Sequence, residues 1–168
     1  SWYHFGNSFK LEAPAKIPEI ENCPVDIYCT YSRDQLLVGL GNDKPRDCRE
    51  DVKYLENINT DVLLVTLNKS DKDYTPTTLY EDYSINEQLF HWQSQSTTSE
   101  ASKTGMRYIQ GTSKILLFVR ETKNVNNVAE SYSLLGFCDY VSHTGSKPMS
   151  ITWKMRRKIG RASCRERV

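Results

Sequence analysis

Several absences narrow the field at the outset. The chain has three histidines and five cysteines, and no two cysteines form a CxxC pair. That leaves no ligand spacing for zinc, and the thiols are expected to be free, as in a reducing cytoplasm. There is no GxSxG, no HExxH and no HKD-type motif, so the common hydrolase signatures are missing. The eight glycines are scattered and never form the loop that cradles a phosphate. No apolar run approaches the ~20 residues of a membrane-spanning helix, which excludes a membrane partner of that kind. The start, Ser1-Trp2-Tyr3-His4, has neither a charged n-region nor an apolar h-region, and no initiator Met. The chain is expected to be a piece of a longer cytoplasmic protein.

What is present is a polar chain rich in rings. Mean hydropathy is −0.60, yet ten Tyr, five Phe and three Trp among 168 residues supply apolar area that a disordered segment lacks. That length suits one domain with a real core. Residues 159–168, from Ile159 to Val168, resemble a translated sequencing-adapter read-through and are set apart as a non-native tail. Of 22 basic and 21 acidic residues, three Arg and one Glu lie in it, so the body holds 19 against 20, a net charge of −1 in place of +1. A near-neutral body argues against strong non-specific attraction to DNA phosphates. The expected organisation is a linker or the end of an upstream element over 1–24, a single domain over 25–158, and the tail over 159–168.

Periodicity supplies the elements. Residues 61–67 and 114–121 read as apolar strands buried on both faces. Residues 149–155 alternate apolar and polar, as in a half-exposed strand that closes the sheet. Ser32 and Gln35 form a capping box ahead of Leu36, Leu37 and Leu40, with Gly41 as the stop. Residues 52–55 and 131–137 are strand-like, and Gly136 marks a bulge or a close backbone approach. Residues 96–105, nearly all Ser, Thr and charge, read as a loop, and Tyr108 starts an extended piece. Residues 124–129 read as another loop, 140–148 as a turn, and a helical turn is expected near Ile85. The count predicts an α+β fold: a curved, mostly antiparallel sheet or a small β-barrel, with one or two short helices.

Recognition chemistry concentrates in Phe90-His91-Trp92-Gln93-Ser94-Gln95, followed by Ser96-Thr97-Thr98. A strand here puts Phe90, Trp92 and Ser94 on one face and His91, Gln93 and Gln95 on the other. Gln amides pair with base edges, while Trp92, Tyr74, Tyr80 and Tyr83 offer rings for a base to stack on. Lys69, Ser70, Ser94 and Thr97 can donate to phosphates, and Arg120 adds a cation at a strand end. A pocket for a flipped base needs this mix of aromatic walls and amides. The alternative reading is a buried strand whose amides tie down loops, with Arg120 and Glu121 as a structural ion pair. A third is a small hydrolase built on His91 with Glu121 or Asp82. Lys154, Arg156, Arg157 and Lys158 form either a phosphate patch or a solvated end.

Several segments, in order, resemble one family over about three quarters of the chain. They are Tyr31-Ser32-Arg33; Thr66-Leu67-Asn68-Lys69-Ser70; Tyr74-Thr75-Pro76-Thr77-Thr78-Leu79-Tyr80-Glu81-Asp82-Tyr83; Phe90-His91-Trp92-Gln93-Ser94-Gln95; Gly105-Met106-Arg107-Tyr108; Leu117-Phe118-Val119-Arg120-Glu121; Leu135-Gly136; and Gly145-Ser146-Lys147-Pro148-Met149. Tyr28 stands where the family pattern has His. The family is the bacterial domain of unknown function that lies C-terminal to superfamily-two (DEAD/DEAH-type) helicase motors, often with a phospholipase-D-type nuclease domain. The resemblance implies a non-catalytic DNA-recognition module of a restriction or defence protein, reading modified cytosine. It implies no cofactor for this domain, and ATP and Mg for the parent helicase. It implies DNA, methylated or not, and the upstream helicase and nuclease domains as partners. A structural coupling or dimerisation domain for the motor is the competing implication.

Overall fold

The computed structural model describes residues 9–47, 50–68 and 82–165. Two short strands, β1 (Leu11–Glu12) and β2 (Cys29–Tyr31), lead into α1 (Arg33–Gly39). A 3-10 turn joins β3 (Val52–Leu55) to β4 (Thr60–Thr66). Then come β5 (Tyr83–Ser84), β6 (Leu89–Gln93), α2 (Lys103–Gln110) and β7 (Lys114–Arg120). A small hairpin, β8 (Asn124–Val125) and β9 (Val128–Ala129), precedes the long β10 (Tyr132–Thr144). The chain continues through β11 (Ser150–Met155), β12 (Arg161–Ala162) and β13 (Cys164–Arg165).

The main sheet runs β3-β4-β7-β10-β11-β6-β5. Off this path β2 pairs with β10 and β13 with β2. The sheet's pairs are antiparallel except β13 with β2 and β4 with β7, the latter parallel from Thr60↔Lys114 to Thr66↔Arg120. The fold is α+β, with an open, curved, mixed sheet. Its end strands β3 and β5 do not pair, so the small-barrel alternative is set aside. β11 lies inside the sheet, between β10 and β6, and does not close it.

Strand alternation divides the interior in two. Val62, Leu64, Leu116, Phe118, Leu134 and Phe137 point to one face, where Ile27, Tyr31, Leu36 and Leu37 cover them. Leu63, Val65, Ile115, Leu117, Val119 and Leu135 point to the other, against Phe90, Trp92, Tyr108, Ile151 and Trp153. Both faces of β4 and β7 are therefore dry, as their continuous apolar runs require. Fully burying each such side chain stabilises the fold by roughly 1.5–3 kcal/mol.

The capping box holds at α1: Gln35 N–H donates to Ser32 Oγ at 3.2 Å, and Ser32 N–H to Gln35 Oε1 at 2.9 Å. The expected bulge at Gly136 is also found, with φ of 109° and a register shift after Leu134. Three other expectations fail. Residues 103–110 are a helix and not loop then strand: Ser102 caps α2 through Gly105 N–H at 3.1 Å, and Gly111 ends it in the left-handed region. Residues 140–144 continue β10, because β11 pairs with them, so the turn begins only at Gly145. Near Ile85 the chain bends into β6 and forms no helical turn.

Asp61 is 2% exposed at the start of β4. It accepts from Arg107 Nε at 3.1 Å, from an Arg107 terminal nitrogen at 2.8 Å and from Ser113 Oγ at 2.6 Å. That forked pair fixes both ends of the α2–β7 turn to β4. The segment set apart as a tail packs along the first strands. Ile159 joins the second core, β12 pairs with β1 and β13 with β2. Cys29 and Cys164 form a disulfide, against the expectation of free thiols, because the parallel β13–β2 register sets their Cα atoms 4.7 Å apart. Cys23 and Cys138 are free, and Cys48 lies outside the described residues.

Two outcomes test this account. A Cβ on Gly105 would overlap the Ser99 carbonyl oxygen and meet Met149 Sδ at 3.1 Å. Gly105→Ala should therefore destabilise by about 1–3 kcal/mol in urea unfolding, although the same change in an open helix stabilises. A chain cut after Gly160 loses β12, the disulfide and β13, an outlying strand that joins the main sheet through β2, but none of the strands from β3 to β5 along its main path. In reducing buffer it should unfold with the full-length chain; in oxidising buffer the full-length chain should gain about 2–4 kcal/mol. A truncated chain without cooperative unfolding would refute the separation of tail from domain.

Candidate nucleic-acid interface

β6 pairs with β11 on one side and β5 on the other. Its alternation is the expected one. Phe90, Trp92 and Ser94 are buried, while His91, Gln93 and Gln95 are half-buried on the outer face. Tyr83 lies opposite His91 on β5, and the two rings stack with centroids 4.5 Å apart and planes 13° from parallel. Tyr83 is 49% exposed, so one face of this stack is open. Gln93 Nε2 donates to Ser150 Oγ at 3.2 Å, and its main-chain N–H to Asp82 Oδ1 at 2.9 Å. The Gln95 amide makes no hydrogen bond to any described residue.

The register extends this outer face. Thr152 stands opposite His91 and Ser150 opposite Gln93, and on β10 Ser142 and Thr144 stand opposite those two. The result is a sheet face of imidazole, phenol, amide and hydroxyls, with exposed Thr97 in the loop beyond. It is rich in groups that both donate and accept, and exposed Lys154, two residues beyond Thr152 and opposite Asp139, brings charge to its end.

Other expected site residues serve the fold. Trp92 is 4% exposed, edge-on to Tyr108 at 5.6 Å and tilted against Trp153 at 6.0 Å. Its faces are covered by protein, so it cannot stack on a base; Tyr83 is the ring placed to do so. Ser94 Oγ accepts Met149 N–H at 2.8 Å and ties the end of β6 to the start of β11. Arg120 donates to Thr66 Oγ1 at 2.9 Å and lies 4.4 Å over the Tyr132 ring, pinning the ends of β4, β7 and β10. Glu121 accepts from Asn68 Nδ2 at 2.8 Å, and β10 and β11 stand between its strand and that of His91. Arg156 pairs with Asp139 and Glu19, and Lys158 with Glu12, so these members of the basic patch are engaged in ion pairs. Lys69, Ser70, Tyr74 and Tyr80 lie outside the described residues.

The recess between Trp92, Gln93, Gln95, Asp82 and Val52 measures about 10 Å³, room for one water. A cavity of about 180 Å³ instead opens between α2, β7 and β10. Its lining includes Asn59, Tyr108, Thr112, Cys138, Asp139 and Tyr140, residues the strand pattern does not connect. Burial pushes the Tyr108 phenol far above its ordinary 10.0, with the Asp61 charge adding to the rise. Burial likewise pushes the Cys138 thiol far above 9.0. Both stay protonated in the folded chain at neutral pH.

The model of one protein family, described as Domain of unknown function (DUF3427), matches residues 25–165. No curated protein matches the chain. Among solved structures, Arabidopsis thaliana SUVH6 in complex with SAM aligns at 15% identity and a TM-score of 0.45. The alignment covers 95% of this chain and 30% of that one.

The two raised groups set an alkaline limit. Cys138 and Tyr108 ionise more readily unfolded than folded, so above the unfolded thiol value of 9.0 the unfolded chain binds fewer protons. The stability they confer is complete below that value and is lost as pH climbs from there toward the folded values. The urea midpoint should hold from neutrality to the thiol value and then fall, with Cys138→Ala reducing the first part of the fall, to which the burial-raised Cys23 thiol also contributes. A midpoint still flat beyond the phenol's 10.0 would contradict this.

Proposed function

The chain belongs to the DUF3427 family, and from that premise we propose that it is a non-catalytic DNA-recognition domain of a cytoplasmic restriction or defence protein with an upstream helicase motor. The carrying observation is the outer face of β5, β6, β11 and β10, where an open Tyr83–His91 stack adjoins the unbonded amide of Gln95. An outer face of this kind offers stacking and base-edge hydrogen bonds. Its amide and hydroxyl groups suit base edges, Lys154 at its end can meet a phosphate, and the motor supplies the non-specific grip on DNA. Modified cytosine is the proposed target, and the ATP and Mg belong to the motor.

A coupling domain is the second reading. Val125 and Val128, 52% and 68% exposed, face each other across the β8–β9 hairpin and suit contact with another protein domain.

Gel shifts with this chain on matched duplexes carrying cytosine or 5-methylcytosine separate the two. Recognition predicts tighter binding to the methylated duplex, weakened by about 0.5–1.5 kcal/mol in Gln95→Ala. Equal affinity for both duplexes refutes a modified-base reader, and no affinity for either favours coupling.

A further inference from the structure

The sheet splays where β10 changes partners. β7 follows β10 only as far as Ile115↔Cys138. Beyond that point residues 139–144 of β10 have β11 as their one strand partner. The turn after α2 does not fill the gap, and the 180 Å³ cavity is what remains. An apolar cavity of about 150 Å³ admits a benzene ring, so the notch has room for one six-membered ring.

Its lining selects what kind of ring. Tyr108 is 1% exposed and lines the cavity. Its ring is held edge-on by Trp92 and Trp153, with centroids at 5.6 and 5.7 Å. Its hydroxyl makes no hydrogen bond to any described residue. The hydroxyl is not among the buried polar atoms left without a partner, so it reaches the open space of the notch, where a ligand edge can take the place of water. The free edge of β10 adds backbone donors and acceptors along one line. Tyr140 forms an aromatic wall, its own hydroxyl engaged with His143 Nδ1 at 2.6 Å. At the rim Asp139 is already paired with Arg156 at 2.9 Å, so that charge is balanced. Lys114 lines the cavity and makes no ion pair with any described residue.

We propose that this notch binds a pyrimidine base extruded from DNA. The base lies against Tyr140, its edge read by the Tyr108 hydroxyl and the unpaired edge of β10, with Lys114 beside the nucleotide's phosphate. The proposal rests on the DNA-recognition reading and places the single-base pocket away from β6. Base extrusion of this kind exchanges stacking in the duplex for hydrogen bonds in a fitted pocket.

The probe is a duplex with 2-aminopurine next to a central cytosine or 5-methylcytosine; the fluorophore brightens when its neighbour leaves the stack. Affinity is read separately by anisotropy of an end label. Binding should bring a several-fold rise in 2-aminopurine fluorescence. Tyr108→Phe, which keeps the ring contacts, should abolish most of that rise and weaken binding by about tenfold. Thr112→Trp, on an exposed turn, should block the notch and remove the rise even if Tyr108→Phe fails to fold by near-UV circular dichroism. Binding with no rise, or with a rise untouched by Thr112→Trp, overturns the notch and leaves the recognition reading standing. No binding to either duplex overturns both.

Discussion

A strand buried on both faces must supply two sets of apolar side chains, and β4 and β7 do so side by side. Their parallel pairing is the constraint from which the rest follows. Parallel neighbours cannot be joined by a tight turn, so a long crossover must leave β4 and return to β7. The crossover here carries β5, β6 and α2. Phe90 and Trp92 from β6 and Tyr108 from α2 then seal one face of the pair, while α1 and the segment before it seal the other. The outer face of β6 and the notch are both products of this crossover, one on its strands and one behind its helix.

The two sites meet in the ring cluster. Trp92 presses edge-on against Tyr108, which also meets Trp153 edge-on, and Tyr140 closes on Trp153 at 6.4 Å. Such edge-to-face pairs fix ring orientation as well as burying area. Trp92 therefore acts on the notch at one remove: it sets the angle of the phenol that lines it. The outer face of β6 and the cavity share this backing.

What the chain reveals in advance depends on whether one pattern lies within one element. Residues 62–65 and 115–119 are apolar without interruption and could only be the centres of buried strands. Ser32 and Gln35 sit at the spacing of a capping box and form one. In β6 the alternation assigned every side chain to the correct face. The same parity, carried through, puts Trp92 inside beside Phe90; the expectation of base stacking ignored it. Helix α2 was hidden by its composition, since its one fully buried ring is Tyr108 and the rest reads as polar loop. Ser102 three residues before Gly105, with Gly111 as a stop, was the signal available. The second half of β10 was misread as a turn because its Asp139, Ser142 and Thr144 face solvent. The cavity draws on Asn59, Tyr108, Thr112 and Asp139 from separate stretches, and no local pattern links them.

The length of β10 also limits how sequences of this fold can vary. One inserted or deleted residue between Gly136 and Ser142 would exchange the two sides of the strand. Tyr140 would swing into solvent and Asp139 into the ring cluster, and the pairing with either β7 or β11 would be lost. The Asn126–Asn127 tip of the β8–β9 hairpin carries no such restriction, so related chains can grow or shrink there while β10 keeps a constant span.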